Sequence, residues 1–350
     1  MRATLAAFRG RWVATLAISV AAALGVAVSG AAQGRAASTP LAVSKTVTSR
    51  VSSELVNINT TLGAQGGSAA GTGMVVTSSG EIVTNNHVIE GATKITATDE
   101  GNGRTYDATV VGYDDSRDIA VLQLSASSGL ATVSFKTAKA RVGQQVAALG
   151  NAGGKGGTPT VVRGTISSLS KTINAFDELD RSVNQLKNVI EFKAQLQGGQ
   201  SGGALVDTAG RVVGMNAAAS GNYSLGSGSA RGYAIPIARV DSVAKQIVAG
   251  RGSATVHIGA TAYLGVYVAT NPRVSGATIL AVLSGGPAEA AGLQRGDVIT
   301  KIGTTPIGDP SELTHALTAL HPGDRVAITW IDFYGSEHTA TVSLATGPAG

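Results

Sequence analysis

A serine hydroxyl attacks a carbonyl only where a base takes its proton and donors stabilise the oxyanion that forms. Ser201 lies in Gly198-Gly199-Gln200-Ser201-Gly202-Gly203, between two strand-like runs. Glycines on both sides allow a tight turn, partly at positive φ, that leaves the hydroxyl accessible. The same turn can aim the amides of Gly199 and Ser201 at one point, as an oxyanion hole requires. His87, in Thr84-Asn85-Asn86-His87-Val88-Ile89, is the sole histidine before residue 257. It follows a strand-like run directly, where a rigid element would fix its ring, and imidazole is the usual base for a serine. Asp118 heads the apolar run Ile119-Ala120-Val121-Leu122. An acid there is costly unless it accepts hydrogen bonds, as from an imidazole whose tautomer it sets. Singly, Ser201 also fits an ordinary Gly-rich hairpin loop and His87 a packed or surface residue. Together they stand in the order His87, Asp118, Ser201, separated by 31 and 83 residues. Asp114 and Asp115 read as solvated turn acids.

The elements that would position these groups are short. Runs of β type at 72–77, 81–84, 94–98, 105–113 and 119–124 come first; 146–149, 160–169, 189–194, 204–206, 212–217 and 232–235 follow. Turn signals such as Ser79-Gly80, Gly101-Asn102-Gly103 and Ala209-Gly210 separate them. Many short strands with no helical period between them predict barrels rather than a wound α/β sheet. One helix is predicted at Ile237–Val248, with Ile237, Val240, Val243 and Ile247 at helical spacing. The expected fold class is mainly β. The order His, Asp, Ser is that of chymotrypsin-like proteases, with the first two groups on one barrel and the nucleophile on the next.

Gly71-Thr72-Gly73-Met74, Thr84-Asn85-Asn86-His87-Val88, Asp118-Ile119-Ala120-Val121, Gly199-Gln200-Ser201-Gly202-Gly203 and Gly232-Tyr233-Ala234-Ile235-Pro236 together resemble an HtrA (Deg-type) serine protease over about 60–348. The resemblance implies a double β-barrel protease domain with His87 as base, Asp118 as its orienter and Ser201 as nucleophile. One position departs from it: the family usually has Asn just before the serine, and this chain has Gln200. The resemblance also implies a substrate pocket at Leu196, Met215 and Ala217, suited to small or medium aliphatic side chains. Between Phe192 and Gln200 there is no carboxylate to hold a basic side chain. Residues 171–188 and 220–231 lie where the family has activation and pocket loops.

After Gly250-Arg251-Gly252 the pattern changes. Tyr263-Leu264-Gly265-Val266, an apolar run at 277–282, Gly286-Pro287-Ala288 and a helix at 311–320 resemble a PDZ domain, a small barrel or sandwich with helices. A peptide would add as a strand beside 265–269, against the helix face bearing Leu313 and Leu317. The amides around Tyr263, Leu264 and Gly265 would take its terminal carboxylate, with Val266 opening the strand. Ser311 is expected to cap the helix.

Composition sets limits on the rest. The chain carries 27 Lys+Arg against 22 Asp+Glu, but six of the basic residues and no acid fall within residues 1–50. The remainder is near neutral, which argues against a nucleic-acid partner. There are 47 glycines and no cysteine among 350 residues, so disulfides, a thiol nucleophile and cysteine metal sites are excluded. No metal or other cofactor is implied, and Gly150–Lys155 lacks the phosphate-loop pattern. Residues 12–34 carry no charge and follow the basic stretch of Arg2, Arg9 and Arg11. That pattern predicts a signal peptide or membrane anchor over 1–34, placing the remainder outside the cytoplasm. Residues 35–53 read as a flexible tether, 54–250 as the protease domain and 258–348 as the PDZ domain. The expected partners are unfolded proteins or peptides, C-terminal peptide segments, the membrane if the leader is retained, and a homotrimer by family resemblance. The alternative is a poorly active homologue that binds peptides in the manner of a chaperone. An α/β-hydrolase is set aside, because it needs the order Ser, Asp, His and alternating helices.

Overall fold

The computed structural model describes residues 42–63, 66–136, 139–176, 183–217 and 231–349. The expected leader over 1–34 and most of the pocket loop at 220–231 lie outside the described residues. Among the described residues no helix is long and apolar enough to cross a membrane.

The first element is a helix, α1 (Lys45–Ser52), within the segment expected to be a tether. Ser44 caps it by accepting from the Val47 amide, and Thr48, Val51 and Ser52 are buried. Arg50 pairs with Glu54 at 2.6 Å and also donates to the Ala209 carbonyl. Val43, Val51 and Leu55 join the core between the barrels, so apolar burial docks this stretch instead of leaving it free.

Six strands follow: β1 (Leu55–Leu62), β2 (Ser68–Val75), β3 (Glu81–Thr84), β4 (Ala92–Asp99), β5 (Thr105–Asp114) and β6 (Ile119–Leu124), with a one-turn helix α2 (Asn86–Ile89) after β3. They pair in the order β5-β4-β1-β2-β3-β6, and the β5–β6 pairing closes a barrel. Alternation along β6 shows how a strand of the first barrel also packs against the second. Ala120, Leu122 and Leu124 fill this barrel, while Ile119 and Val121 face the second. A strand buried on both sides reads as a continuous apolar run, which is what the sequence has there.

The second barrel comprises β7 (Gln145–Gly150), β8 (Thr160–Phe176), β9 (Val183–Phe192), β10 (Ala204–Val206), β11 (Val212–Asn216) and β12 (Gly232–Pro236), closed in the order β10-β11-β12-β9-β8-β7. On β7, Val146 and Ala148 point into this barrel and Ala147 and Leu149 into the seam between the two. Much of 171–188, expected as loop, is instead the far end of the β8–β9 hairpin, in which Ile173 and Leu186 are paired and buried. Helix α3 (Ile237–Val248) buries Ile237, Val240, Val243, Ala244 and Ile247, the predicted helical stripe. The fold is thus mainly β, with two closed six-stranded barrels.

Strand β13 (His257–Ile258) still pairs with β5 of the first barrel. Beyond it come β14 (Ala262–Tyr263), β15 (Val266–Thr270), β16 (Ala277–Val282), α4 (Pro287–Ala290), β17 (Val298–Ile302), β18 (Thr305–Pro306), α5 (Pro310–Thr318), β19 (Arg325–Ile331), β20 (Glu337–Ser343) and β21 (Ala345–Thr346). Their core is separate from that of the barrels and is built on Ile279, Ile299, Leu313, Ile328 and Trp330. The cap of α5 is Asp309, whose side chain accepts from the Glu312 amide at 2.9 Å, not Ser311. Pro310 takes the first helical position, where no amide donor is needed, and this moves the cap two residues back. The buried His257 ring places Nδ1 2.7 Å from the Thr318 carbonyl at the end of α5 and Nε2 3.0 Å from the Ala260 carbonyl. At the C-terminus, Ala349 exchanges backbone bonds with Gly91 and Ala92, just after α2.

One buried carboxylate makes the second barrel sensitive to acid. Burial pushes the Glu191 carboxyl up, but bonds from Ser167 and Arg231 and the charges of Arg231 and Lys171 outweigh it, so its pKa is lowered. A depressed carboxylate contributes stability above the ordinary glutamate range and loses it as pH falls through the folded-state value. Glu191→Gln is therefore expected to lower Tm at neutral pH, with the difference from wild type shrinking in acid. Thermal melts across that range check this, and a Tm difference independent of pH contradicts it.

Candidate active site

The structure gathers the candidate residues at the seam between the barrels. β3 ends at Thr84, and α2 then carries His87. Asp118 stands immediately before β6 in the left-handed conformation, at φ 55 and ψ 51. Its carboxylate accepts the His87 amide at 3.1 Å, and its two oxygens lie 3.0 and 2.9 Å from His87 Nδ1. Two bonds from one residue fix both the backbone and the ring of His87. They also assign the Nδ1 proton, which leaves Nε2 as the basic nitrogen.

Asp114 sets up the turn before Asp118. It is fully buried rather than solvated, contrary to expectation. Its carboxylate accepts from the Arg117 amide, from Ser116 and from Thr255, and it pairs with the Arg117 guanidinium. The Asp118 amide then donates to the Asp115 carbonyl. A buried anion with this many donors is satisfied where it stands and holds the chain into its left-handed step.

Ser201 is held from the first barrel through its backbone. The Thr72 amide donates to the Ser201 carbonyl at 2.9 Å, and Thr72 Oγ1 donates to the Gly199 carbonyl at 2.8 Å while accepting from the Asn151 amide. The Gly202 amide donates to the Asn216 carbonyl and, at 2.6 Å, to Asn85 Oδ1. Gly202 has φ +80, and a Cβ there would lie 2.0 Å from the Thr72 carbonyl oxygen and 2.3 Å from Thr84 Oγ1. Only glycine permits that approach. Ser201 is itself buried, whereas the His87 side chain is about a third exposed.

The turn that would form the oxyanion hole is fixed one peptide at a time. The Gly198 carbonyl accepts from the Gly153 amide at 2.7 Å, and Gly199 has φ +86. In a trans peptide the N–H points opposite to the C=O, so the Gly199 amide is turned away from Gly153. The Gly-rich stretch 151–157 is therefore more than a connection. Gln200, the departure from the family pattern, is fully buried. Its Oε1 accepts from the Gln197 amide at 2.9 Å, and its own amide donates to the Gln197 carbonyl, so the longer side chain closes its own turn. Its Nε2 has no hydrogen-bond partner among the described residues.

Of the expected pocket residues, Met215 and Ala217 are buried on and just after β11 in the core between the barrels, and Leu196 packs at the edge of the second barrel's own core. Residues 218–230, which would continue the wall after Ala217, lie outside the described residues. Beyond β13, Leu264 between β14 and β15 and Leu313 on α5 belong to the C-terminal core. Tyr263, Val266 and Leu317 are half-buried, and Gly265 has φ +86. Sequence reasoning missed Thr72, Asn85, Asp114 and Gly153 as supports. Thr72 and Asn85 lie inside motifs that carried the resemblance, but their types alone assign no partner.

A family model of the trypsin-like peptidase domain matches residues 71–215, and one of the PDZ domain matches residues 262–343. The chain is 34% identical to the serine protease PepD of Mycobacterium tuberculosis, over 91% of this chain and 69% of that protein. It is 30% identical to the serine protease Do-like HtrA of Lactococcus lactis, over 79% of this chain and 71% of that protein. It is 33% identical to the periplasmic pH-dependent serine endoprotease DegQ of Escherichia coli, over 74% of this chain but only 55% of that protein.

Gly202→Ala is expected to fold poorly or to separate the serine loop from the first barrel. Either outcome gives a large loss of reaction with a serine-directed fluorophosphonate, and a wild-type rate in the alanine variant contradicts the packing argument. Gln200→Ala, which opens the 197–200 turn, is expected to slow the same reaction by about 10-fold with little change in Tm. Two closed barrels meeting at this site, the two family matches and the likeness to PepD and HtrA over most of both chains agree: the chain belongs to the HtrA (Deg-type) family of serine proteases and carries a PDZ domain.

Proposed function

We propose that this protein hydrolyses peptide bonds in unfolded or misfolded proteins by acyl transfer to Ser201. The observation that carries the reading is the bond of the Asp118 carboxylate to His87 Nδ1, beside a serine loop held across the seam. His87 Nε2 takes the proton of Ser201 Oγ as that oxygen attacks the scissile carbonyl. Asp118 stabilises the imidazolium that forms and keeps its ring in place. The carbonyl oxygen, now an anion, is met by the amides of Gly199 and Ser201. The tetrahedral species collapses as His87 returns the proton to the leaving amine. Water, deprotonated by the same imidazole, then releases the acyl group. The positive φ of Gly199 and the anchored Gly198 carbonyl support an assembled hole, and the self-closing turn of Gln200 favours the active reading over an inactive homologue.

Residues 54–250 would form the protease domain, with Leu196, Met215 and Ala217 lining a pocket for small or medium aliphatic side chains. Residues 258–348 would form the PDZ domain. There a C-terminal peptide would add beside β15, with its carboxylate at Tyr263–Gly265 and its side chains against Val266 and Leu317. Leu264 and Leu313, both in the core, would support that groove from beneath. The periplasmic location in the name of DegQ agrees with a site of action outside the cytoplasm. The membrane tie through residues 1–34 and the trimer belong to the same reading.

Purified full chain is expected to degrade an unfolded protein such as reduced casein, and Ser201→Ala to abolish the cleavage while leaving Tm within a few degrees. Equal turnover by Ser201→Ala, or none by wild type together with retained binding of a C-terminal peptide, contradicts the proposal.

A further inference from the structure

Asn85 is fully buried where the two barrels meet, and the chemistry above leaves it without a task. It caps nothing by its side chain, although it stands at the start of α2. Instead its Nδ2 donates to the Asp118 carbonyl at 2.9 Å and its Oδ1 accepts from the Gly202 amide at 2.6 Å. One end thus holds the peptide of the acid, and the other holds the peptide that follows the nucleophile. Its own backbone leads, two residues later, into His87. We propose that Asn85 is a positioning residue of the catalytic apparatus, a side-chain amide that sets the Asp118 and Ser201 loops against His87 across the seam. The inference rests on the reading of His87, Asp118 and Ser201 as the triad.

The chemistry of the two partners selects asparagine. One partner is a carbonyl and needs a donor; the other is an amide and needs an acceptor. Aspartate lacks the donor, leucine lacks both groups, and serine is too short to span both partners. The two ends are not equally replaceable. The Gly202 amide keeps the Asn216 carbonyl as a second acceptor, whereas no other hydrogen bond is made to the Asp118 carbonyl among the described residues. Asp118 is also a non-glycine residue at positive φ, a conformation that persists only where its surroundings hold it. Losing Asn85 therefore releases the acid first, and through it the ring and backbone of His87. A shift of about an ångström at such a site costs on the order of 100-fold in rate without touching the binding of the substrate chain.

The test compares the full-length wild type with Asn85→Ala and Asn85→Ser. Ile95→Ala serves as a control, since it truncates the first barrel's core on β4, away from the seam. The second-order rate of fluorophosphonate labelling and the kcat and KM for casein are measured well below each Tm, with the folded fraction determined by calorimetry. Asn85→Ala is expected to lose about 10- to 100-fold in labelling and in kcat, with KM within about twofold. Asn85→Ser falls in the same direction and stands in if the alanine variant does not fold. Ile95→Ala loses Tm but keeps its labelling rate per folded molecule. Labelling and kcat within about twofold of wild type in a folded Asn85 variant overturn the positioning role, as does an equal loss in Ile95→Ala. A wild type that neither labels nor cleaves casein removes the triad reading itself, and the inference with it.

Discussion

The site depends on how closely the serine loop approaches the first barrel. At Gly202 the backbone of one barrel runs against Thr72 and Thr84 of the other with no room for a single methyl group. That contact lets the Thr72 amide reach the Ser201 carbonyl and the Gly202 amide reach Asn85. A non-glycine residue at that φ costs about 1–2 kcal/mol before any clash is counted. The clash itself is with backbone and with a buried, bonded hydroxyl, neither of which yields easily. Two barrels that each close on themselves are thereby joined in one relative position. The apolar seam of Ile119, Val121, Ala147, Leu149 and Met215 supplies affinity, and the polar contacts above it supply register.

His87 and Asp118 come from the same barrel and are bonded to each other through ring and backbone alike, so their pairing is local to α2 and the turn before β6. Ser201 comes from the other barrel; its own carbonyl accepts from the Thr72 amide, and Gly199 and Gly202 on either side of it are bonded to Thr72 and Asn85. On the proposed reading, an imidazole–carboxylate pair bonded within one barrel meets a nucleophile loop whose placement depends on Thr72, Asn85 and the 151–157 stretch.

The reach of the sequence can be read from particular residues. His87, Asp118 and Ser201 stand out in the sequence because each type is costly or improbable in its setting and the three stand in a known order; the bond between His87 and Asp118 agrees with that reading. The α3 stripe and the doubly buried β6 were legible from periodicity. Helix α1 was not, since its apolar positions are few and are buried by residues far along the chain, in the core between the barrels. Asp114 was misread because a solvated turn acid and a buried acid capping a turn share the same local sequence; the difference lies in Thr255, far along the chain. The cap of α5 moved from Ser311 to Asp309 because Pro310 occupies the first helical position. Thr72 and Asn85 carry no signal of their own, since their partners are backbone groups, and backbone groups have no sequence.

The central claim is that the seam delivers one activated serine. Mass spectrometry of tryptic peptides from the full chain after fluorophosphonate treatment tests it directly. A single adduct on Ser201, absent when the protein is first unfolded in denaturant, is the predicted result. An adduct on another residue, or none on the folded chain, would contradict the account.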